Sequence, residues 1–490
     1  MSLAKKIAFN TITQISGKII STVLGLFSLA LITRYLGLSG FGQYITVVNF
    51  LTFFAVIADL GLTLVTVQLI SHHGADEKKI INNLFGLRLV SILLILALAP
   101  LSVMFFPYDV AVKSGVLIAL FSFLFPALNQ IIIGLFQKKL SMDRDAIAEV
   151  IGRVILIIGI IGTTKLQLGL NGILLSLVAS AAVNFICHYL LACEYTIIKL
   201  EFDWLIWKDI LSRSWPLAIT IVLNLIYLRA DTLILSLFRP SAEVGLYGAA
   251  YKIIDVLTTI PFMFAGLILP ILTTAWADNN QPYFKKVLQR SFDFMAILAL
   301  PLVVGAQFLG QSIMRYVAGR DFTAAGPILQ VLIFAVAAIF LGTMFSHAVV
   351  ALDKQKKMIG FYIFTSLSAL AAYLILIPRF SYFGAAGVTI YSEALIAIFS
   401  AYCVFKYSRC RLDLKIMAKA IWSSLGMGLF LYFMGSYQGT LIGLIFVMIA
   451  ASFIYFLLLY CLNGIRKSDL DAVFQGRNET NGPTYSGPNF

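Results

Sequence analysis

The chain has 490 residues, 60% of them hydrophobic and only 12% charged, with a formal net charge of +13. That balance excludes a soluble globular protein of this length. It also removes nucleic acid as the partner of the basic charge, because the Lys and Arg residues concentrate in short gaps between apolar runs, where they lie over anionic lipid.

Fourteen apolar runs follow one another, at roughly 8–33, 41–70, 80–106, 114–136, 146–164, 169–194, 214–238, 244–275, 287–309, 325–350, 358–377, 383–405, 416–436 and 440–462. Most reach the ~20 residues that a helix needs to cross a bilayer. The reading is an all-α, polytopic membrane protein of about 14 transmembrane helices. Lys5 and Lys6 precede a first run too long for the core of a signal peptide, with no small-residue cleavage site after it, so this run is expected to remain as the first span. Twenty-four of the 36 Lys and Arg lie in every second gap and the two termini, or within about a turn of them; seven lie in the intervening gaps. Positive charge stays on the cytoplasmic side, so both termini are expected there. All five Trp (Trp204, Trp207, Trp215, Trp276, Trp422) map to cytoplasmic span ends, as an interfacial aromatic belt would.

Between spans six and seven the stretch KLEFDWLIWKDILSR sets Phe202, Leu205, Ile206, Ile210 and Leu211 among charges at helical spacing. This predicts a helix lying in the interface plane. The division expected is an N-terminal lobe at 1–195, an interfacial linker at 196–212, a C-terminal lobe at 213–406, two further spans at 407–465 and a disordered tail at 466–490. The lobes carry matching signals. FGQY (Phe41–Tyr44) closes the first external gap and VGLY (Val244–Tyr247) closes the first one after the linker; Gly169-x-x-Gly172 opens span six and Gly384-x-x-Gly387 opens span twelve. With an even number of spans in each half, the repeat is parallel. Glycine also recurs wherever helices pack closely in lipid. The cysteines (Cys187, Cys193, Cys403, Cys410, Cys461) form no C-x-x-C pair, and neither disulfide, metal nor other cofactor is expected. His72, His73, His188 and His347, and the sequon at Asn478, carry no functional signal.

Ionisable residues within spans are costly and are default functional candidates. Glu149 and Arg153, at i,i+4, are expected to pair on one face, and Lys252 and Asp255, at i,i+3, likewise; Asp293 can snorkel to its span end. At ~1.5 Å per residue, Lys18, Asp59, Arg229, Asp231 and Glu393 lie about 12–17 Å from the nearest span end. Arg88 is shallower. Arg229 and Asp231 are i,i+2 and cannot share a face. Lys18, Arg88, Arg229 and Lys252 are the candidates for binding an anionic headgroup, since guanidinium and ammonium groups keep their charge and suit phosphate. Asp59, Asp231 and Glu393 are the unpaired acids that could take a coupling proton or Na⁺. Interhelical salt bridging is the competing role for each.

Several blocks occur in order: Asn10 through Gly17-Lys18, then RYLGLSGFGQY and ADLGL in the first two spans; YLRADTLIL and VGLYGAAYKI in spans seven and eight; ALDKQKK after span ten; and LIPRFSYFGAAGVTIYSE joining spans eleven and twelve. Together, over about residues 5–465, they resemble the polysaccharide-transport family, the O-antigen and related lipid-linked oligosaccharide flippases of the multidrug/oligosaccharidyl-lipid/polysaccharide exporter superfamily. The resemblance implies two six-helix lobes around a central cavity, alternating access, and passage of an undecaprenyl-pyrophosphate-linked oligosaccharide to the periplasmic leaflet of the bacterial inner membrane. It places Lys18, Arg229 and Asp231 as cavity residues, involves no enzyme chemistry, and makes the polysaccharide polymerase machinery a candidate partner. Two relatives stay open as alternatives: a peptidoglycan-precursor flippase and a cation-coupled drug antiporter. A membrane polymerase or ligase fits less well, because the external gaps are short and hold no paired-carboxylate or His/Arg constellation.

Overall fold

The computed structural model describes residues 3–70 and 76–464 and is helical, with no strand among them. The proposed tail at 466–490, with its sequon, and His72 and His73 lie outside the described residues. The first half comprises α1 (Leu3–Ala58), α2 (Leu62–Ile70), α3 (Glu77–Val103), α4 (Val110–Ala119), α5 (Phe121–Lys139), α6 (Met142–Leu166) and α7 (Gly169–Ala192). The second comprises α8 (Trp204–Phe238), α9 (Ser241–Ala277), α10 (Gln281–Val317), α11 (Gly326–Ala351) and α12 (Gln355–Ser408), followed by α13 (Lys415–Phe433) and α14 (Leu441–Cys461). Side-chain caps start several of them: Asp76 accepts from the Lys79 amide, Asp203 from those of Leu205 and Ile206, and Asn280 from that of Tyr283.

Among the described residues, eleven helices are long and apolar enough to cross a membrane, and the bent α8 makes a twelfth. Two of these are double. Helix α1 breaks at Gly37 (φ 64°), a left-handed conformation that glycine adopts without a Cβ penalty, and α12 breaks at Ser381 (φ 51°). Each break divides its helix into two arms, which restores the fourteen runs read from hydropathy. Ser381 is held in its conformation by a hydrogen bond from its hydroxyl to the Glu243 carboxylate, and Arg239 donates to the nearby Pro378 carbonyl at 2.8 Å. Large apolar side chains such as Phe105 (91% exposed) and Ile442 (82%) cover the outside of the bundle, where only hydrocarbon can accommodate them. The chain is a multi-pass membrane protein.

Two expected elements differ. The run 41–70 is not one helix: the second arm of α1 ends at Ala58, Leu60 and Gly61 take φ of 50° and 75°, and α2 restarts at Leu62. The linker is not a separate interfacial helix. Residues 196–203 are irregular, and α8 begins at Trp204 and runs on into span seven. The irregular strip is fastened to α3. Asn82 and Asn83, both fully buried, accept from the amides of Lys199 and Asp203 at 2.9 Å each, and donate to the Glu201 carboxylate at 2.9 and 3.2 Å. Gly86 lies directly under the Glu201 carbonyl, and a Cβ there would overlap it. Gly86→Ala is therefore expected to cost about 1–3 kcal/mol. The readouts are a lower thermal midpoint in detergent and faster proteolysis at 196–203.

The two halves meet along α1 and α9. Phe41 and Ile45 of α1 share one core with Val244 and Tyr247 of α9. At the end that the charge bias assigns to the outside, Gly42 and Gly245 pack backbone to backbone. A methyl on Gly42 would overlap the Ser241 carbonyl oxygen and stand 3.0 Å from the Gly245 nitrogen; one on Gly245 would overlap the Leu38 carbonyl oxygen and stand 3.1 Å from the Gly42 nitrogen. Helices α13 and α14 pack on α10, where the Tyr455 hydroxyl donates to the Ile297 carbonyl at 2.7 Å.

Candidate functional site: a cationic cavity between the halves

A cavity of about 310 Å³ opens between the first arm of α1, α6 and α7 on one side and α9 on the other. Its charged lining is Lys18, Arg153, Lys252 and Asp255. Lys18 and Glu149 pair across the α1–α6 interface at 3.4 Å. Ser21 donates to the same carboxylate at 2.7 Å and accepts from Arg153 Nε at 3.3 Å. The Glu149–Arg153 pair expected from i,i+4 spacing is thus replaced: Glu149 turns to α1, and the Arg153 guanidinium lies over Gly25, where the missing side chain leaves room.

A second cavity, of about 290 Å³, lies within the second half between α8, α9, α11 and α12. Arg229 and Glu393 line it, and Asp255 lines both cavities. Asp255 accepts from Arg229 at 3.0 Å and from Lys252 at 3.5 Å, so the expected i,i+3 pair forms and is joined by a third partner. The Arg229 guanidinium also sits 5.2 Å from the Tyr251 ring centre, within cation–π range.

Three of the expected site residues lie elsewhere. Arg88 and Asp59 find each other inside the first half, at 2.6 Å and almost wholly buried. Arg88 also donates to the carbonyls of Asp59 and Ala127 at 3.0 Å, and Thr63 donates to the Asp59 carboxylate. The physical reason is the break at 59–61. A helix that stops inside the bundle leaves carbonyls without partners and a negative dipole end, and a guanidinium satisfies both. Arg88 therefore lines neither of the two cavities, and Asp59 is not unpaired. Asp231 is fully buried away from both cavities. It accepts from the Tyr247 hydroxyl at 2.6 Å and the Thr232 amide at 2.6 Å, with Thr389 at 3.4 Å. Its opposite facing from Arg229 follows their i,i+2 spacing.

The sequence model for the family described as "Polysaccharide biosynthesis protein" matches residues 7–276, more than half of the chain and including every wall of the cavity between the halves. The chain belongs to the polysaccharide biosynthesis protein family. A probable low-salt glycan biosynthesis flippase, Agl15, of Haloferax volcanii is 22% identical over 84% of this chain and 88% of its own length. The capsular polysaccharide biosynthesis protein CapF of Staphylococcus aureus is 23% identical over 58% of this chain and 72% of its own. A putative O-antigen transporter of Shigella dysenteriae is 24% identical over 39% and 47%. Among solved structures, the lipid II flippase MurJ in an inward closed conformation superposes with a TM-score of 0.75 at 17% identity, covering 95% of this chain and all of that one. An inward-facing MATE family multidrug transporter gives 0.65 at 16%, covering 81% and 97%. The chain shares the fold of these two proteins.

In this polysaccharide biosynthesis protein, Arg153 is the cavity cation that spacing concealed, because an acid four residues earlier appeared to neutralise it. Gly25 could have signalled it only by pairing a small residue on one helix with a long one on another. His188, read as uninformative, is a satisfied core residue, with Nε2 3.0 Å from Asp145 and Nδ1 bonded to the Asn184 carbonyl.

Proposed function

We propose that this protein is a flippase that carries an undecaprenyl-pyrophosphate-linked oligosaccharide, an O-antigen or other surface-polysaccharide unit, from the cytoplasmic to the periplasmic leaflet of the inner membrane, with both termini cytoplasmic. The observation that carries the reading is the cavity between the halves, whose charged lining is Lys18, Arg153, Lys252 and Asp255, with Glu149 paired to Lys18. The polyprenyl tail can stay in lipid, but a diphosphate and its sugars cannot shed water into hydrocarbon unaided. A polar, cationic path across the seam supplies replacement hydrogen bonds and charge. Rocking of 1–195 against 213–406 would open that path to each side in turn. The present volume is at the small end of ligand sites (~300–1,000 Å³), which fits a closed state that widens to admit the sugars. The substrate is moved without covalent change. The names of the relatives, two flippase or transporter descriptions and one capsular polysaccharide description, support the same substrate class.

Arg229 serves the cavity from behind by neutralising Asp255. Arg229→Ala is expected to lower export about tenfold or more, the loss of a charge-assisted bond of ~1.5–3 kcal/mol, and Arg229→Lys to retain part of it. The measurement is surface polysaccharide in a strain lacking the gene, together with the lipid-linked intermediate left on the inner leaflet. Full complementation by the alanine variant would remove Arg229 from the scheme. A peptidoglycan-precursor lipid presents the same diphosphate chemistry; deletion would then be lethal instead of stripping surface polysaccharide. A drug antiporter would show itself in a drug-susceptibility panel.

A further inference from the structure

Glu393 stands out in the second cavity. It is 8% exposed, and its Oε1 atom is buried with no hydrogen-bond partner among the described residues. From α8 it is faced by Tyr227 and Arg229, from α9 by Tyr251 and Asp255, and from α11 by His347. The first arm of α12 adds Tyr362 and Tyr373. Arg229, the basic residue that lines the same cavity, is engaged with Asp255. The His347 Nδ1 atom lies 2.9 Å from the Thr343 carbonyl; a carbonyl only accepts, so Nδ1 donates to it.

An ionised carboxylate left without a partner in such a place is costly, and a proton or a nearby gain of positive charge relieves it. The charges around the two cavities give this a direction. Lys18, Arg153, Lys252 and Arg229 bring four positive charges, and Glu149 and Asp255 bring two negative ones. With Glu393 ionised the cluster carries +1; with Glu393 neutral it carries +2. A diphosphate diester carries two negative charges. Only the state with Glu393 neutral balances it, and Asp255 lines both cavities.

We propose that Glu393 is the proton site of this protein, and that the cavity between the halves loads its diphosphate together with one proton bound at the Glu393 carboxyl. The inference rests on the cationic cavity being the headgroup site. It narrows the coupling ion to a proton, removes Asp59 and Asp231 from that role, and fixes the sense of the linkage. Anion and proton assist each other's binding by the same factor. The proton comes from solvent and leaves to solvent when the headgroup departs.

The test is calorimetry on the full chain in detergent, titrated with farnesyl-diphospho-N-acetylglucosamine. As a diester this probe lacks the second phosphate ionisation near pH ~6, so its own charge stays constant. Repeating the titration in buffers of different ionisation enthalpy counts the protons taken up. The wild type is expected to take up about one proton per diester at the alkaline end, with Kd rising by about tenfold per pH unit there. Glu393→Gln, a neutral mimic, should bind at alkaline pH as tightly as the wild type does in acid, with no uptake. His347→Asn should leave the uptake in place. Infrared difference spectra of the wild type give a reading that needs no variant: a protonated carboxylic-acid band should appear on adding the diester. Binding without uptake, uptake that persists in Glu393→Gln, uptake lost in His347→Asn, or absence of that band would each overturn the proton site while leaving the cavity reading intact. Absence of binding at every pH would overturn both.

Discussion

Replacing Arg88 by alanine is expected to destabilise the protein by about 3–5 kcal/mol, the cost of leaving a buried charge without its partner. Asp59 would keep only Thr63, and the carbonyls of Asp59 and Ala127 would lose their donor. The loss should appear as a sharply lower thermal midpoint in detergent and a reduced folded yield in the membrane. Asp59→Asn should cost less, because Arg88 keeps both carbonyl contacts. The double variant Asp59→Leu/Arg88→Met should recover most of the stability, since buried ion pairs are often replaced by apolar groups of similar volume at little cost. That double variant also decides between structure and transport. If it folds and exports polysaccharide, the pair is a brace at the α1–α2 break; if it folds but binds no diphosphate diester, Arg88 belongs to the headgroup path after all.

Gly42→Ala is expected to be nearly as damaging, but to function more than to folding. Its methyl would overlap the Ser241 carbonyl oxygen, and backbone on both sides leaves no rotamer to absorb it. Overpacking of this kind costs about 1–3 kcal/mol even where side chains can shift. Here the simplest relief is for the ends of α1 and α9 to part. Export should fall by about a hundredfold at the upper end of that range. Spin labels on the outer ends of the two helices should report a longer distance than in the parent protein. Gly245→Ala should act in the same direction. An unchanged distance with full export would show that the two ends do not need to touch during transport.

How much of this was legible beforehand follows from the physics of each feature. The number and order of spans were readable because length and hydropathy are local properties, and even the hidden breaks at Gly37 and Ser381 fall between runs already separated by charge. The break at Asp59-Leu60-Gly61 was not readable as one, because it interrupts no hydrophobic stretch. Lys18 and Lys252 were found at the cavity because a mid-span cation has few other places to go. Arg88 and Asp59 were misjudged because an ion pair between α3 and the α1–α2 break depends on a tertiary contact that spacing cannot express. Asp231 was read as unpaired; its hydroxyl partners Tyr247 and Thr389 come from two other helices, α9 and α12, a contact that spacing within α8 cannot express. Arg153 was lost to a plausible local pairing that Ser21 and Lys18 outcompete.

The fastening of residues 196–203 to α3 has a mechanical consequence. A connector pinned at Lys199, Glu201 and Asp203 cannot lengthen, so the second half has no slack with which to slide along the membrane normal relative to the first.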